Sequence, residues 1–358
     1  MIARVALQSG AGPYPTADHV LGSDLGSISW GWLPNRSSRP VLRVAPGDTV
    51  TIDTVSHEGI LADQGRDPVA FFGRYGVDRS LVLDDAIAIA ASGRANDQRV
   101  DGPHIVTGPI AVDGARPGDV LRVDMVQLTP RTAYGIVSNR HGRGTLPELP
   151  GGPAVVSTFC RAADGDGLIA AGRHDIAFPL RPFLGIVGVA ADTDDPVHSV
   201  PPGRHGGNID LALLTEGATL YLPVQVPDAL LYVGDPHFAQ GDGEVALTAF
   251  EAPLRATLRV GVVPADEARD RFGPLAAPFA ETPELLVPMG LDADLDVAVQ
   301  QATRAALRML EHRFGIDTAT AYAYLSAAAD VSVTQVVDRV KGAHIRIPRR
   351  HFAAWTSP

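Results

Sequence analysis

The hydrophobic pattern of this chain changes period once, and the change limits the folds open to it. Before residue 264 apolar side chains come in short runs or in alternation, as in Thr49-Val-Thr-Ile-Asp-Thr-Val55, the pattern of half-buried strands. After residue 290 they recur at three-and-four spacing. Leu295, Ala298, Val299, Ala302, Ala306, Met309 and Leu310 share one face of a helix expected over Asp292 to Phe314. Thr318 to Ala329 reads as a second helix, and Ser332-x-x-Gln335 as a capping box opening a third that ends at Gly342. The expectation is a mainly β fold with an α+β C-terminal part: a jelly-roll or barrel-like β-sandwich carrying three C-terminal helices. The 37 glycines and 29 prolines supply the turns that many short strands need. A β domain over 1–190 and a β-plus-helical portion over 191–358, packed as one unit, is the expected division of the 358 residues.

Polar chemistry concentrates in Leu230 to Glu251, LLYVGDPHFAQGDGEVALTAFE. Leu222 to Val233 and Val245 to Phe250 read as neighbouring antiparallel strands around a polar knot. The knot holds Asp235, His237, Gln240, Asp242 and Glu244, interleaved with Gly234, Gly241 and Gly243, and contains no Lys or Arg. Asp235 and His237 are two apart, so in extended chain they share a face. Asp-Gly after Gly is ordinary hairpin chemistry, and charges at strand ends are usually solvated. Two aspartates, an imidazole, an amide and a glutamate so close together exceed what a turn needs and point to a site.

Other segments are plainer. Short strands are expected at Ile110–Val112 and at the end of Pro179–Ala190, and a short helix over Ala86–Ala91. Tyr134 to Leu149 reads as a long loop, a possible lid. The glycine-rich Pro201-Pro-Gly-Arg-His-Gly-Gly207 lacks the Gly-Lys-Ser/Thr ending of a phosphate cradle and opens onto Asn208 and Asp210. His57, at a strand end before Gly59, is more often a surface or supporting residue than a ligand in such a position.

The run Gly-Asp-Pro-His-Phe-Ala-Gln-Gly-Asp-Gly-Glu (Gly234 to Glu244) closely resembles the signature of the acetamidase/formamidase family. Arg204-His-Gly-Gly-Asn-Ile-Asp210 resembles that family's Gly-Gly-Asn-x-Asp segment. His104-Ile-Val-Thr-Gly-Pro-Ile110, followed by Gly114-Ala-Arg-Pro-Gly-Asp119, resembles its N-terminal signature, and Ala321 to Asp330 with Gln335 resembles its helical tail. The resemblance covers nearly the whole chain in order. It implies an amidohydrolase that releases ammonia from a short linear amide such as formamide or acetamide, and a chain that forms at least a homodimer. It also favours a metal or substrate role for His104 over that of a hydrogen-bonded structural histidine.

Amide hydrolysis needs an activated water, a stabilised carbonyl oxygen and a protonated leaving nitrogen. A divalent metal with a nearby carboxylate meets all three needs. His104, Asp235 and His237 are the expected ligands, with His57 and Asp210 as further candidates. Glu244 is the expected general base and then acid, with Asp242, Asn208 and Gln240 as other catalytic or orienting groups. Asp-x-His with a remote His suits Zn²⁺ keeping an open position, and the oxygen donors suit Ca²⁺ equally. A hydrolase of the same frame with a different amide substrate, and a non-catalytic metal-stabilised binding protein, are the alternatives. The stretch from Asp53 to Gly65 is richer in polar groups than a very small amide requires.

A formal charge of −11 opposes nucleic acid and anionic membranes as partners. The C-terminal helices lack the basic face of a DNA-binding pair. The single cysteine, Cys160, lies in an apolar run and reads as a small core residue. MIARVALQSG lacks the basic and apolar regions of a signal peptide, and no run is long enough to span a bilayer, so a cytoplasmic setting is expected.

Overall fold

The two longest strands, Val120–Pro130 and Leu254–Val263, pair antiparallel inside a nine-stranded sheet. The computed structural model describes residues 6–151 and 154–355; the first five residues of MIARVALQSG lie outside them. From one edge the sheet runs His19–Leu21, Thr49–Asp53, Leu254–Val263, Val120–Pro130 and Thr219–Pro223. It continues through Phe279–Glu281, Leu285–Asp292, Lys341–Pro348 and Asp330–Gln335. A six-stranded sheet holds Gly206–Asn208, Phe183–Val189, Leu231–His237, Ile105–Val112 and Ile28–Trp30, with Leu42–Val44 pairing parallel to Ile105–Val112. Every residue of Ile105–Val112, Phe183–Val189 and Leu231–His237 is buried. Their near-continuous apolar runs are those of strands covered on both faces.

The main core lies between these two sheets. Val50, Ile52, Leu121, Val123, Leu254 and Leu258 of the nine-stranded sheet belong to one cluster with Ile110, Leu184, Val187, Leu231 and Val233 of the other. A second core forms where helices cover the C-terminal strands of the large sheet, with Ala302, Ala306, Met309 and Leu310 meeting Leu286, Ile345 and Ile347. Local chemistry starts these helices. Asp294 caps Leu295–Phe314 by accepting from the amides of Asp296 and Val297, and Gly315 ends it at φ +66°. Asp317 caps Thr318–Ala328 in the same way.

The period change held: the chain is mainly β, and its two longest helices follow residue 290. Four readings are corrected. Among the described residues no sheet closes into a barrel: the large sheet is open, with His19–Leu21 at one edge and Asp330–Gln335 at the other, and these two do not pair. The third helix is instead a hairpin of Asp330–Gln335 with Lys341–Pro348. Its β-branched alternation outweighs the apparent capping pair, and Gln335 bonds the turn, accepting from Val337 and Asp338 N and donating to Val340 O. A different helix, Ala265–Phe272, precedes the other two. The expected pairing of Leu222–Val233 with Val245–Phe250 fails. Asp228, Ala229 and Leu230 take φ near +60° and break the first run, and Leu231–His237 pairs with Phe183–Val189 and Ile105–Val112. The 134–149 loop begins as the strand Tyr134–Arg140, paired with Val155–Ala163 in a four-stranded sheet.

Strands from both sides of residue 190 share each large sheet. The second core is tied to the sheet by Glu281, which accepts from Arg271, Arg313 and Arg349 at 2.9, 2.7 and 3.2 Å. Burial opposes its ionisation, but Arg271 and Arg313 hold its carboxyl below the ordinary 4.5. A depressed carboxyl stabilises the fold above its unfolded value and loses that contribution as pH falls through the native one. Glu281→Gln is therefore expected to cost about 2 kcal/mol at pH 7, discounted from the buried-pair range because the arginines are partly exposed. In urea titrations the gap between variant and wild type should close as pH falls below 4.5; a gap independent of pH would refute the ion-pair account.

Candidate active site

A cavity of about 400 Å³ opens where the ends of the six-stranded sheet meet the Asp330–Pro348 hairpin and the turn after Arg140. His57, His104, Asn208, Asp210, Asp235 and Glu244 line it, together with Glu251 and Asp338. His237 is fully buried just behind.

Two histidines converge on Asp235. His57 Nδ1 is 3.6 Å from Asp235 Oδ1, and His104 Nε2 is 3.9 Å from Asp235 Oδ2. Two donors bound about 2.0–2.2 Å from one ion lie no more than roughly 4.2 Å apart. Both separations satisfy that limit. Each imidazole has a partner on its other nitrogen: His104 Nδ1 is 2.9 Å from Ser199 Oγ, and His57 Nε2 is 3.4 Å from Glu58 Oε1. A polar group on the far ring nitrogen is how metal-binding histidines are oriented. Glu58 is itself held by Ser138 Oγ at 2.6 Å and by Gln64.

Asp235 also faces His237, whose Nε2 lies 3.2 Å from Asp235 Oδ2 and 3.0 Å from Glu251 Oε1. Asp210 Oδ1 is 3.9 Å from His237 Nδ1. Despite these short separations, both His237 nitrogens, His57 Nδ1, Asp235 Oδ1, Asp210 Oδ1, Glu244 Oε2 and Glu251 Oε2 are buried without a hydrogen-bond partner. Donors and acceptors that crowd together without aligning on one another suit a shared cation or a polar ligand better than mutual hydrogen bonding. Three overlapping groups of potential metal ligands result: His57–His104–Asp235, Asp235–His237–Glu251 and Asp210–His237–Glu244.

The electrostatics follow from the crowding. Burial pushes Asp210 and Glu244 well above the carboxylate range, helped by Glu244 and Asp338 in the first case and by Asp338 in the second. Burial also raises Glu251 to about 7 and Asp338 to about 8. Asp235 goes the other way: against burial, His237 and His104 hold it well below 3.8. Burial lowers His104 to about 4, leaving a neutral imidazole. In His57 the opposing effect of burial is outweighed by Asp235 and Glu58, giving about 10.

The backbone is bent to achieve this. Asp210, Asp235 and Glu244 take φ of +47°, +50° and +47°, a left-handed conformation that non-glycine residues adopt at a cost of about 1–3 kcal/mol. Gly185 makes the room. A Cβ there would lie 2.6 Å from His237 Cε1 and 2.8 Å from Asp235 Oδ2, and closer still to Asp210 Oδ1. The knot is fastened to the hairpin by Gly243 N donating to Thr334 O (3.0 Å) and Val336 N donating to Gly243 O (3.2 Å).

Of the residues singled out by sequence, the cavity gathers His57, His104, Asn208, Asp210, Asp235 and Glu244, with His237 behind. It does not gather Asp242 or Gln240. Asp242 is exposed on the outer side of the knot. Gln240 donates to the Asp210 carbonyl at 2.8 Å, so it supports the backbone and does not face the cavity. His104 and His237 do not share one compact ligand group; Asp235 stands between them. Sequence reading missed Glu58, Ser199, Glu251 and Asp338. The available signal for the acids was a carboxylate inside or beside an apolar run, as in Thr-Ala-Phe-Glu251-Ala and Val-Val-Asp338. Cys160 is buried, burial raises its thiol to about 12, and it lies outside the cavity.

The chain is similar to known proteins over most of its length. Residues 87–198 and 193–353 match the model of the Acetamidase/Formamidase family. A formamidase of Methylophilus methylotrophus is 26% identical over 325 residues, covering 70% of this chain and 78% of that protein. An acetamidase of Mycolicibacterium smegmatis is 31% identical over 198 residues, covering 40% of this chain and 49% of that one. The crystal structure of an acetamidase from Bacillus halodurans superposes with a TM-score of 0.74 at 25% identity, covering 94% of this chain and 100% of that one.

Gly185→Ala tests the cradle. The added methyl must displace His237, Asp235 or Asp210, and overpacking of this kind costs about 1–3 kcal/mol. Gly241→Ala, where a Cβ meets nothing within 4 Å, is expected to stay within about 0.5 kcal/mol of wild type. Urea unfolding of the two variants reads the difference; equal stabilities would refute the cradle.

Proposed function

The chain belongs to the acetamidase/formamidase family, hydrolases acting on the carbon–nitrogen bond of linear amides, and from that premise we propose that its cavity hydrolyses a linear amide with metal assistance. The observation that carries the proposal is the convergence of His57, His104 and Asp235 beside buried carboxyls that lack partners. These residues fit a divalent ion: two imidazoles with oriented far nitrogens and one carboxylate favour zinc over calcium. Such an ion, when bound, supplies a Lewis acid and lowers the pKa of water. His237 and Glu251 complete the surrounding charge, and Glu58 fixes the His57 ring.

The remaining steps fall to the chain itself. Asn208 presents an amide to an amide, able to donate to the substrate carbonyl and accept from its nitrogen. Glu244 is the proton carrier. Its carboxyl lies in the cavity wall with Oε2 unpartnered, and its raised affinity for protons suits a group that takes a proton from water and delivers it to the departing nitrogen. The leaving group departs as ammonia and the acyl part as carboxylate. Asp338, on the hairpin side of the cavity, helps to raise the proton affinity of both Asp210 and Glu244. The protein is further proposed to work as one unit, in the cytoplasm, as at least a homodimer. Its strand His174–Pro179, exposed along most of its length with Ile176 outward, offers an unpaired edge for assembly.

Glu244→Gln keeps shape and removes the proton carrier. It is expected to lower ammonia release from short amides by about 10²–10⁴ while leaving metal content unchanged. Asp235→Asn, at the junction of the ligand groups, is expected to abolish stoichiometric metal in elemental analysis together with activity. Wild-type turnover in the first variant would move the proton carrier to Glu251, and unchanged metal in the second would remove Asp235 from the ligand set.

A further inference from the structure

The cavity differs in chemistry at its two ends. Its floor is acidic, with Asp210, Asp235, Glu244, Glu251 and Asp338. Its mouth is flanked by Arg143, on the turn after the Tyr134–Arg140 strand, and Arg339, on the turn of the C-terminal hairpin. Both arginines are exposed, and among the described residues neither guanidinium has a carboxylate or hydrogen-bonding partner. A third arginine on the wall is already engaged: Arg140 Nε bonds Asp63 at 2.7 Å and its Nη1 bonds Ser138 Oγ at 2.8 Å.

Unpaired surface arginines are common and usually just solvated. Three observations set these two apart. They line a concave site together. They face like charge, since burial and then Arg140 and Arg339 lower the proton affinity of Arg143. They do so in a chain of net charge −11, where carboxylates are plentiful. Asp101, a carboxylate in the cavity wall, does not pair with them; it accepts from Trp32 Nε1 (3.0 Å) and Asp97 N (2.7 Å). The wall also offers apolar surface, with Leu61, Pro103, Val336 and Val337 among its lining residues. The volume agrees: an amide of three or four heavy atoms fills the space of two or three waters, each about 30 Å³, in a cavity of about 400 Å³.

We propose that the substrate class of this enzyme is a linear amide bearing a carboxylate at its far end, held by Arg143 and Arg339 while its methylene spacer lies on the apolar wall. This rests on the amidase reading given above. The reaction is otherwise unchanged: water adds, the C–N bond breaks, and ammonia leaves from an ω-amido acid to give a dicarboxylate. The two arginines make the arrangement directional, because they attract the carboxylate end and leave the amide end to the floor.

The test compares ammonia release by the metal-loaded full chain on succinamate and glutaramate with release on butyramide and valeramide, their uncharged counterparts of equal carbon number. The expected kcat/KM for the better anionic amide exceeds that of its counterpart by about tenfold or more, as expected for charge-assisted contacts. The preference should lie in KM and shrink as salt screens the mouth. Arg143→Gln and Arg339→Gln should each cut the anionic-to-neutral ratio by about tenfold, the scale of one such contact. Arg143→Lys should restore most of the ratio, which a merely structural role would not produce. Neutral amides turned over as well as anionic ones, or a ratio unmoved by both glutamine variants, would overturn the inference and leave the amidase reading standing. Absence of turnover on all four amides would overturn this inference, and the amidase reading falls with it only where formamide and acetamide also release no ammonia.

Discussion

Taking charge out of water is the constraint on which this structure depends. Asp210, Asp235, Glu244, Glu251 and Asp338 are buried around one cavity, with His57, His104 and His237 among them. A buried ion without compensation costs several kcal/mol even after relaxation. The imidazoles cannot neutralise five carboxylates, and the proton affinities record the shortfall, with Glu251 at about 7 and Asp338 at about 8. An arrangement so costly in isolation is economical around a divalent cation, which offsets two negative charges at one point. Asp235 is in contact with both histidine groups, so it is the place where such an offset would matter most.

The fold meets this cost by distributing the site across elements that cannot move independently. His104 precedes Ile105–Val112, while Asp235 and His237 end Leu231–His237, and these strands are hydrogen-bonded neighbours. His57 follows Thr49–Asp53 of the other large sheet, and Asp338 sits on the turn of the C-terminal hairpin. Three site residues are held at positive φ by this packing, which is strain that a looser scaffold would release. The hairpin bonds formed by Gly243 and Gln335 explain why the C-terminal hairpin belongs to the site although it lies a hundred residues from the knot.

Much of this was visible before any coordinates. The two-residue spacing of Asp235 and His237 put them on one face, and they do face each other. The glycine-rich 201–207 segment opens onto Asn208 and Asp210, and both line the cavity. What was not legible depended on contacts between distant segments. Glu251 looks like the end of an apolar run, and only its approach to His237 gives it a role. Asp242 shows the converse: it is conspicuous between Gly241 and Gly243, yet the turn directs it to solvent. Ser332 and Gln335 matched a capping box, but the local signal was weaker than the sheet edge available at Lys341–Pro348. Gly185 carried no signal at all, because its importance is the space it leaves for three other side chains.

Floor and mouth are built differently, and that difference bears on how specificity arises. The floor residues belong to buried strands or to loops bonded into the sheets, so a substitution there disturbs charge balance, strain and packing together. Arg143 and Arg339 stand on turns, and among the described residues their guanidinium groups bond to nothing else. Loops carried by a rigid scaffold are where binding preferences change most freely. Amide cleavage can therefore stay constant in this frame while the far end of the substrate is read by residues that the fold does not require. Part of the Gly234–Glu244 run, Asp235 and Glu244, lies in the floor, whereas the two arginines stand outside that run.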